Sequence, residues 1–415
     1  MLMSFPVESI REQFPALQRQ INDRPVCHFD GPAGSQIPKQ VASAMSDYLL
    51  NTNSNRSAPF IVSQESDERV DAGHSALADF LGTTDTGEIV FGQNMTSLTF
   101  ALSRAIGKTW QSGDEIIVSQ LDHDANVSPW VQAAKDAGIV VHHIPVNLED
   151  YTLDQIAYRK LLSKRTKLVA VGYASNATGT VNPVKEMIAA AHEVGAITFI
   201  DAVHMAPHRR IDVTDLDCDF LCCSAYKFFG PHIGIMYGKR KLLESLPVYK
   251  LRPSPNSLPG RWMSGTQSHE SICGAAAAVD YLANLGKTIS SGTADRTSQI
   301  NVAMQAISQH EIKLSKHFLN RLAELDALKL WGINDPNRWE ERVPTFSFTH
   351  DSLSPQELAR QLGEHGLLTW PGNHYAIPFT EAAGLEPEGT LRVGFLHYNT
   401  LEEVDRLVDS FQELL

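Results

Sequence analysis

Between residues 88 and 240 the chain repeats one unit: a short apolar run, a longer stretch with helical spacing, then another apolar run. Strands are expected at 88–91, 115–118, 139–144, 167–173, 196–200, 220–223 and 234–237. Helices are expected at 96–110, 125–137, 153–162 and 183–194. In the first of these helices Leu98, Ala101, Leu102, Ala105 and Ile106 fall on one face. Pro183 suits a first helical turn, where its missing N–H is not needed. Strands separated by helices of this length pair in parallel, with both faces of the sheet covered, so each strand reads as a continuous apolar run. The fold class is therefore α/β with a mostly parallel sheet.

After residue 295 the rhythm changes. A long helix at 299–325 precedes polar, strand-like pieces such as 345–349, a helix at 354–365 and a last helix at 401–415. This reads as a smaller α+β domain. The expected division is an N-terminal segment, 1–25, with a helix around 7–20 packing with the small domain; a large domain, 26–294; and a small C-terminal domain, 295–415.

Ligands of open α/β sheets bind beyond the carboxyl ends of the strands. Here the first strand is followed by Gly92-Gln93-Asn94-Met95-Thr96-Ser97 and a helix start. The second leads to Asp122-His123, the fourth to Ser175-Asn176, the fifth to Asp201 and His204, and the sixth to Ser224-Ala225-Tyr226-Lys227. Alone, Lys227 would be read as a surface lysine, His123 as a solvated loop histidine, Asn176 as a turn former and Asp201 as a helix cap. As a set they suit an aldehyde cofactor with a pyridine ring and a phosphate. Lys227 would hold the aldehyde as a Schiff base. Asp201 would keep the pyridine nitrogen protonated. Met95, Thr96 and Ser224 would meet the phosphate at a helix N-terminus. His123 would stack on the ring, and Asn176 and His204 would face the phenolic oxygen.

Composition narrows the partners. The net charge is -13 and no window is rich in Lys and Arg, so nucleic acid and anionic membranes are not expected partners. The five cysteines are odd in number and contain no C-x-x-C pair, which argues against a disulfide framework or a zinc knuckle. No apolar stretch approaches the ~20 residues that span a bilayer. The N-terminal residues lack the basic and apolar regions of a secretory signal. A cytoplasmic location is expected.

The run from Ser224-Ala225-Tyr226-Lys227 through Gly230-Pro231 to Gly234 resembles the pyridoxal-phosphate attachment site of class V aminotransferases, the cysteine desulfurase-like family. Asp201-Ala202-Val203-His204 is similar to that family's Asp-x-Ala-Gln/His segment. Asp30-Gly31-Pro32-Ala33-Gly34 resembles its N-terminal Asp-x-Ala-Ala motif. Asn53-Ser54-Asn55-Arg56 and Ser264-Gly265-Thr266 resemble segments that reach the neighbouring subunit's site. Thr390-Leu391-Arg392-Val393 resembles the segment whose Arg clamps the substrate carboxylate. The match runs in order from about residue 28 to the C-terminus. It implies pyridoxal 5′-phosphate as cofactor, the fold type I architecture with a seven-stranded sheet in the large domain, and a homodimer with shared sites. It also implies a small amino acid as substrate, with Ala33, Gly34, Arg56, Asn176, Tyr375 and Arg392 on the substrate side. Lys227, His123 and Asp201 would be catalytic, and Tyr226 and Thr266 would join the cofactor contacts.

The departures carry information too. Where desulfurases of the nearest group place a nucleophilic Cys, this chain reads Gly372-Asn373-His374-Tyr375-Ala376, and no Cys follows Cys273. Tyr226 replaces the His common before the Schiff-base Lys. Cysteine desulfurase-like or C–S lyase chemistry by β-elimination, on cysteine or a derivative, needs no enzyme thiol. Transamination and epimerisation are the alternatives from the same family. Two remoter readings are a non-catalytic binding protein and a metal hydrolase using His123, Asp201, His204 and His208. Pro207 spoils a regular helix between the last two, and that reading leaves Lys227 idle, so no metal is expected.

Overall fold

The computed structural model describes residues 5–323, 325 and 327–414. At its centre are seven strands: β1 (Ile89–Gly92), β2 (Glu115–Ser119), β3 (Val140–Ile144), β4 (Thr166–Gly172), β5 (Ile197–Asp201), β6 (Phe220–Ser224) and β7 (Gly234–Gly238). Their order across the sheet is β1-β7-β6-β5-β4-β2-β3. Neighbours from β6 through β3 pair in parallel, whereas β7 is antiparallel to both β6 and β1. The antiparallel setting of β7 follows from the short turn after β6, which is too brief for a crossover.

Successive strand side chains point to opposite faces, and the core divides accordingly. Leu221 and Cys223 join one apolar cluster with Ile200 and Ile235, while Phe220 and Cys222 join the other with Phe199 and Met236. Three long helices supply the first cluster's outer layer: α1 (Ile61–Leu81), α4 (His269–Ile289) and α5 (Arg296–Leu322). Helices α2 (Met95–Gly107) and α3 (Ser128–Ala137) cover the other face through Leu98, Leu102 and Trp130. Each fully buried side chain of this size contributes about 1.5–3 kcal/mol. Helices α4 and α5 meet so closely that a Cβ at Gly286 would lie 1.8 Å from the Gln299 carbonyl oxygen.

A second sheet, all antiparallel, follows: β8 (Leu328–Trp331), β9 (Thr345–His350), β10 (Trp370–Gly372) and β11 (Thr390–Gly394), in the order β8-β9-β11-β10. Its core (Phe346, Phe348, Leu391, Val393) packs on Phe318 of α5 and on helices α6 (Pro355–Glu364) and α7 (Leu401–Leu414). Cys27 and Phe29 also enter that core, and Cys27–His28 pairs in parallel with Leu367–Leu368. Two bridges, Asp30 to Gly394 and Thr180 to Arg342, fasten this sheet to the loops beside the large one. The Ser347 hydroxyl adds a bond to the Ala177 carbonyl.

Some expected elements take a different form. The helix expected at 7–20 is two pieces, Val7–Arg11 and a 3-10 turn at Pro15–Gln18, because Pro15 cannot continue a helix. Between them Phe14 packs edge-on against both Phe229 and Tyr281. The helix expected from residue 125 begins at Ser128 after a 3-10 turn at Asp124–Asn126, with Pro129 in its first turn. Helix α5 starts earlier than expected, at Arg296, where Asp295 accepts a capping bond from the Ser298 N–H.

Candidate active site

The carboxyl ends of β2, β4, β5 and β6 and the end of β1 converge on one cavity, partly open to solvent and lined by segments that follow strands of the large sheet. Lys227 lines it from the 3-10 turn Ala225–Lys227 directly after β6. Only 8% of Lys227 is exposed, and its ammonium donates to the Pro32 carbonyl. Burial, reinforced by the positive charge of Arg392, pushes its pKa down to about 7, with Asp201 opposing. The amine is therefore neutral in a substantial fraction of molecules at neutral pH, as a nucleophile must be.

Asp201, the last residue of β5, lines the cavity and accepts the Val203 N–H through Oδ1. Burial raises its pKa to about 6. Across the cavity, His123 is pushed down to about 4 by burial and by the charges of Lys227 and Arg392, so its ring is neutral. Its Nδ1 accepts the Ala125 N–H at 3.0 Å, which places the ring proton on Nε2 and fixes the ring's orientation.

The helix start at Met95 is present, with Asn94 and Ser97 forming a reciprocal capping box. Met95 N–H donates to the Ser224 hydroxyl at 3.1 Å, joining the two segments expected to meet a phosphate. Thr96 lines the same wall and is exposed. His204 also lines the cavity, but its Nε2 is committed to Thr345 Oγ1 at 2.8 Å, an interaction from β9. Asn176 donates through Nδ2 to the His374 carbonyl, and its own carbonyl accepts Nη1 of Arg392 at 2.8 Å. Arg392 is 4% exposed and held by burial at about 9, so it stays cationic at neutral pH.

Two buried polar atoms here, Asn176 Oδ1 and Arg392 Nε, have no partner among the described residues. Each such atom costs about 1–3 kcal/mol when left unpaired, so the site is built for a polar ligand.

The sequence pattern of the family described as "Aminotransferase class-V" matches residues 27–407. The chain belongs to the class V aminotransferase family. Among its relatives, a cysteine desulfurase of Pectobacterium carotovorum is 31% identical over 99% of this chain and 98% of its own length. One from Haloferax volcanii is 32% identical over 98% of this chain and 97% of its own. The solved apo cysteine desulfurase of Thermococcus onnurineus superposes with a TM-score of 0.87 at 28% identity, covering 99% of this chain and 98% of that one. The cysteine desulfurase CsdA of Escherichia coli gives 0.83 at 27% identity, covering 99% of each chain.

In this class V aminotransferase not every residue singled out from sequence reaches the cavity. Gly34 lies against the Tyr226 ring, where a Cβ would come within 3.4 Å, and Ala33 donates its N–H to the Asp30 carbonyl. Tyr226 lines the cavity, its ring stacked on His232 at 4.9 Å. Arg56 and Thr266 instead line a separate, open groove, and Arg56 is bound to Asp67 and Asp71 at 2.6 and 2.7 Å. Tyr375 sits on the loop between β10 and β11, stacked on His123. His208, outside the cavity, binds Glu311 at 2.8 Å. Asp122, which the sequence did not single out, lines the cavity beside His123. All five cysteines are buried, unpaired and absent from the cavity lining. Burial raises the thiol of Cys273 to about 11 and that of Cys27 to about 12, so none is poised as a thiolate.

Proposed function

We propose that this class V aminotransferase holds pyridoxal 5′-phosphate on Lys227 and cleaves the carbon–sulfur bond of cysteine or a small cysteine derivative by β-elimination. The observation that carries this reading is the buried Lys227 amine, facing the same cavity as Asp201 and His123 and with its pKa pushed down to about 7 by burial. Cysteine desulfurase relatives that match nearly the whole chain support the choice of substrate class.

The residues fit the cofactor. Lys227 would hold its aldehyde, Asp201 its ring nitrogen, His123 one ring face, Asn176 its phenolic oxygen, and Met95, Thr96 and Ser224 its phosphate. When bound, the group supplies an aldehyde for amines and an electron-poor ring that accepts the electron pair of a bond broken at the α-carbon. Arg392 would take the substrate carboxylate with its unpartnered Nε. The Lys227 amine, when not holding the aldehyde, would stand as the base for the substrate's α-proton.

The fate of sulfur follows from electron balance. Forming alanine requires sulfur to leave without its bonding pair, onto a thiolate acceptor. In elimination the sulfur leaves with that pair as sulfide, and hydrolysis then yields pyruvate and ammonia. With Tyr375 on the loop beside His123 and no thiol lining the cavity, elimination is the branch these residues support.

A homodimer completes the reading. Arg56 and Thr266 share one groove away from the Lys227 cavity, a placement that suits contribution to a partner's site. The five unpaired, buried thiols accord with a cytoplasmic setting.

The test is to incubate the cofactor-loaded protein with L-cysteine and assay sulfide, pyruvate and alanine together. Sulfide with equimolar pyruvate is expected. Sulfide with alanine would overturn the elimination branch, and an aminated cofactor with a keto acid would mean transamination.

A further inference from the structure

Asp122 lies three residues beyond the end of β2 and is almost fully buried, yet it faces the cavity. Its Oδ1 accepts the N–H of Gly172, the last residue of β4, at 2.7 Å. Gly172 pairs in register with Asp201 on the adjacent strand. A Cβ at Gly172 would fall 2.6 Å from Asp122 Oδ1, so only glycine lets the carboxylate approach so near. The other oxygen, Oδ2, accepts Nδ2 of Asn126 at 2.9 Å. Asn126 is oriented by Trp130, whose indole N–H donates to its Oδ1, and Trp130 packs against Phe199 of β5.

The carboxylate is thus fixed by two N–H donors and the Ser119 side chain, with no ion pair among the described residues. It faces the same cavity as a second buried carboxylate, Asp201, on the far side of β4. Without a cation in the cavity, burial and the charge of Asp201 both oppose its ionisation and hold its pKa near 8, while Gly172, Ser119 and Asn126 favour it; a cationic group between the two carboxylates would draw the proton off. The cation that favours the ionised form of Asp201 is Lys227. Two buried carboxylates with so little compensation call for a cationic ligand group between them.

We propose that Asp122 is a positioning residue whose carboxylate, set beside Asp201, supplies a second negative charge at the end of the cavity that takes the cofactor's ring nitrogen. This rests on the function proposed above. The groups facing Asp122 are Asp201 on β5, His123 and Asn126 on its own loop, Ser119 on β2 and, across the cavity, Lys227. The same contacts anchor the loop that carries His123 to the two strands that carry Asn176 and Asp201.

The experiment is a pH titration of the visible absorption of the cofactor-loaded protein, for wild type, Asp122→Asn, Asp122→Glu and Gly172→Ala. Removing a negative charge lowers the proton affinity of nearby groups, so Asp122→Asn is expected to move the midpoint down by about one unit. Asp122→Glu keeps the charge and is expected to titrate close to wild type. Should Asp122→Asn fail to fold, Gly172→Ala displaces the carboxylate without removing it, and a smaller downward shift is expected. A wild-type midpoint in Asp122→Asn, or in Gly172→Ala where that variant stands in for it, overturns the proposal. So does a midpoint displaced as far by Asp122→Glu as by Asp122→Asn, since packing would then be the cause. A wild-type protein that never acquires the visible band overturns the proposed function itself, which separates the two failures.

Discussion

Tyr375 lies with its ring stacked on His123, centroids 5.4 Å apart and planes 20° from parallel, although Tyr375 itself is 71% exposed. Both His374 and Tyr375 adopt φ near +58°, a left-handed conformation that costs non-glycine residues about 1–3 kcal/mol each. Three bonds hold them there. The Tyr375 carbonyl accepts the Asp124 N–H at 2.7 Å, its N–H donates to Asn373 Oδ1, and the His374 carbonyl accepts Asn176 Nδ2. The strained loop is thereby tied to both walls that carry the predicted cofactor contacts.

The stack makes the ring of Tyr375, rather than its hydroxyl, the working part. Tyr375→Phe is expected to keep turnover close to wild type. Tyr375→Ala frees the His123 ring, losing a contact of about 0.5–1.5 kcal/mol, and is expected to lower turnover several-fold. Steady-state kinetics with both variants check this; a large loss in Tyr375→Phe would assign the hydroxyl a chemical role.

Attachment of the cofactor should follow the ionisation of Lys227. Its folded pKa, near 7, is depressed, so the neutral nucleophile increases as pH rises toward and past that value. The second-order rate constant for colour development from the cofactor-free protein is expected to rise about tenfold per unit below pH 7 and to level off above it. Stopped-flow absorbance across pH 5–9 measures this.

Asp201 stores a cost in the empty fold. Its folded pKa, about 6, is raised above the ordinary 3.8, so the folded state holds the proton longer, and stability from this group falls as pH rises from about 4 to 6. Asp201→Asn removes that cost. The cofactor-free variant is expected to be more stable than wild type at pH 7 by up to about 3 kcal/mol, while its retention of cofactor falls. Denaturant unfolding and dialysis read the two effects separately.

Arg392 is buried at the wall formed by Asn176, and a lysine cannot reproduce its planar fork. Arg392→Lys and Arg392→Ala are both expected to lower kcat/KM, the alanine variant by about 2–4 kcal/mol, roughly thirty- to a thousandfold. Amines lacking a carboxylate should lose their disadvantage against amino acids in these variants.

All five thiols are buried and none lines the cavity, so treatment with a thiol-alkylating reagent is expected to leave elimination activity intact. Inactivation by iodoacetamide, with the modified residue mapped by mass spectrometry, would reopen a thiol-based route.

Much of this was legible in the sequence because parallel strands buried on both faces leave unbroken apolar runs. The run expected at 196–200 is shifted by one residue from the observed Ile197–Asp201, and that expected at 220–223 stops one residue short of the observed Phe220–Ser224. The reversed direction of β7 was not read, since Gly234–Gly238 has the same apolar character as its parallel neighbours. Helices α1 and α4 were not read either. In α1 the buried large apolar residues crowd into its C-terminal half, and α4 is a run of small residues buried against three other helices, α1, α5 and the one at Lys39–Asp47. Asp122 was given no cofactor role because a carboxylate beside His123 has the pattern of a solvated loop, and its partner Gly172 lies 50 residues away. The bond from His204 to Thr345 spans 141 residues, a pairing that only the packing of the two sheets creates.

The most direct measurement of the central claim is borohydride reduction of the protein after incubation with pyridoxal phosphate, followed by peptide mapping of the fixed adduct in wild type and Lys227→Ala. A yellow wild-type protein with one adduct, on the peptide containing Lys227, and a Lys227→Ala variant that fixes none are expected. A wild-type protein that stays colourless, or an adduct that persists in Lys227→Ala, would contradict it.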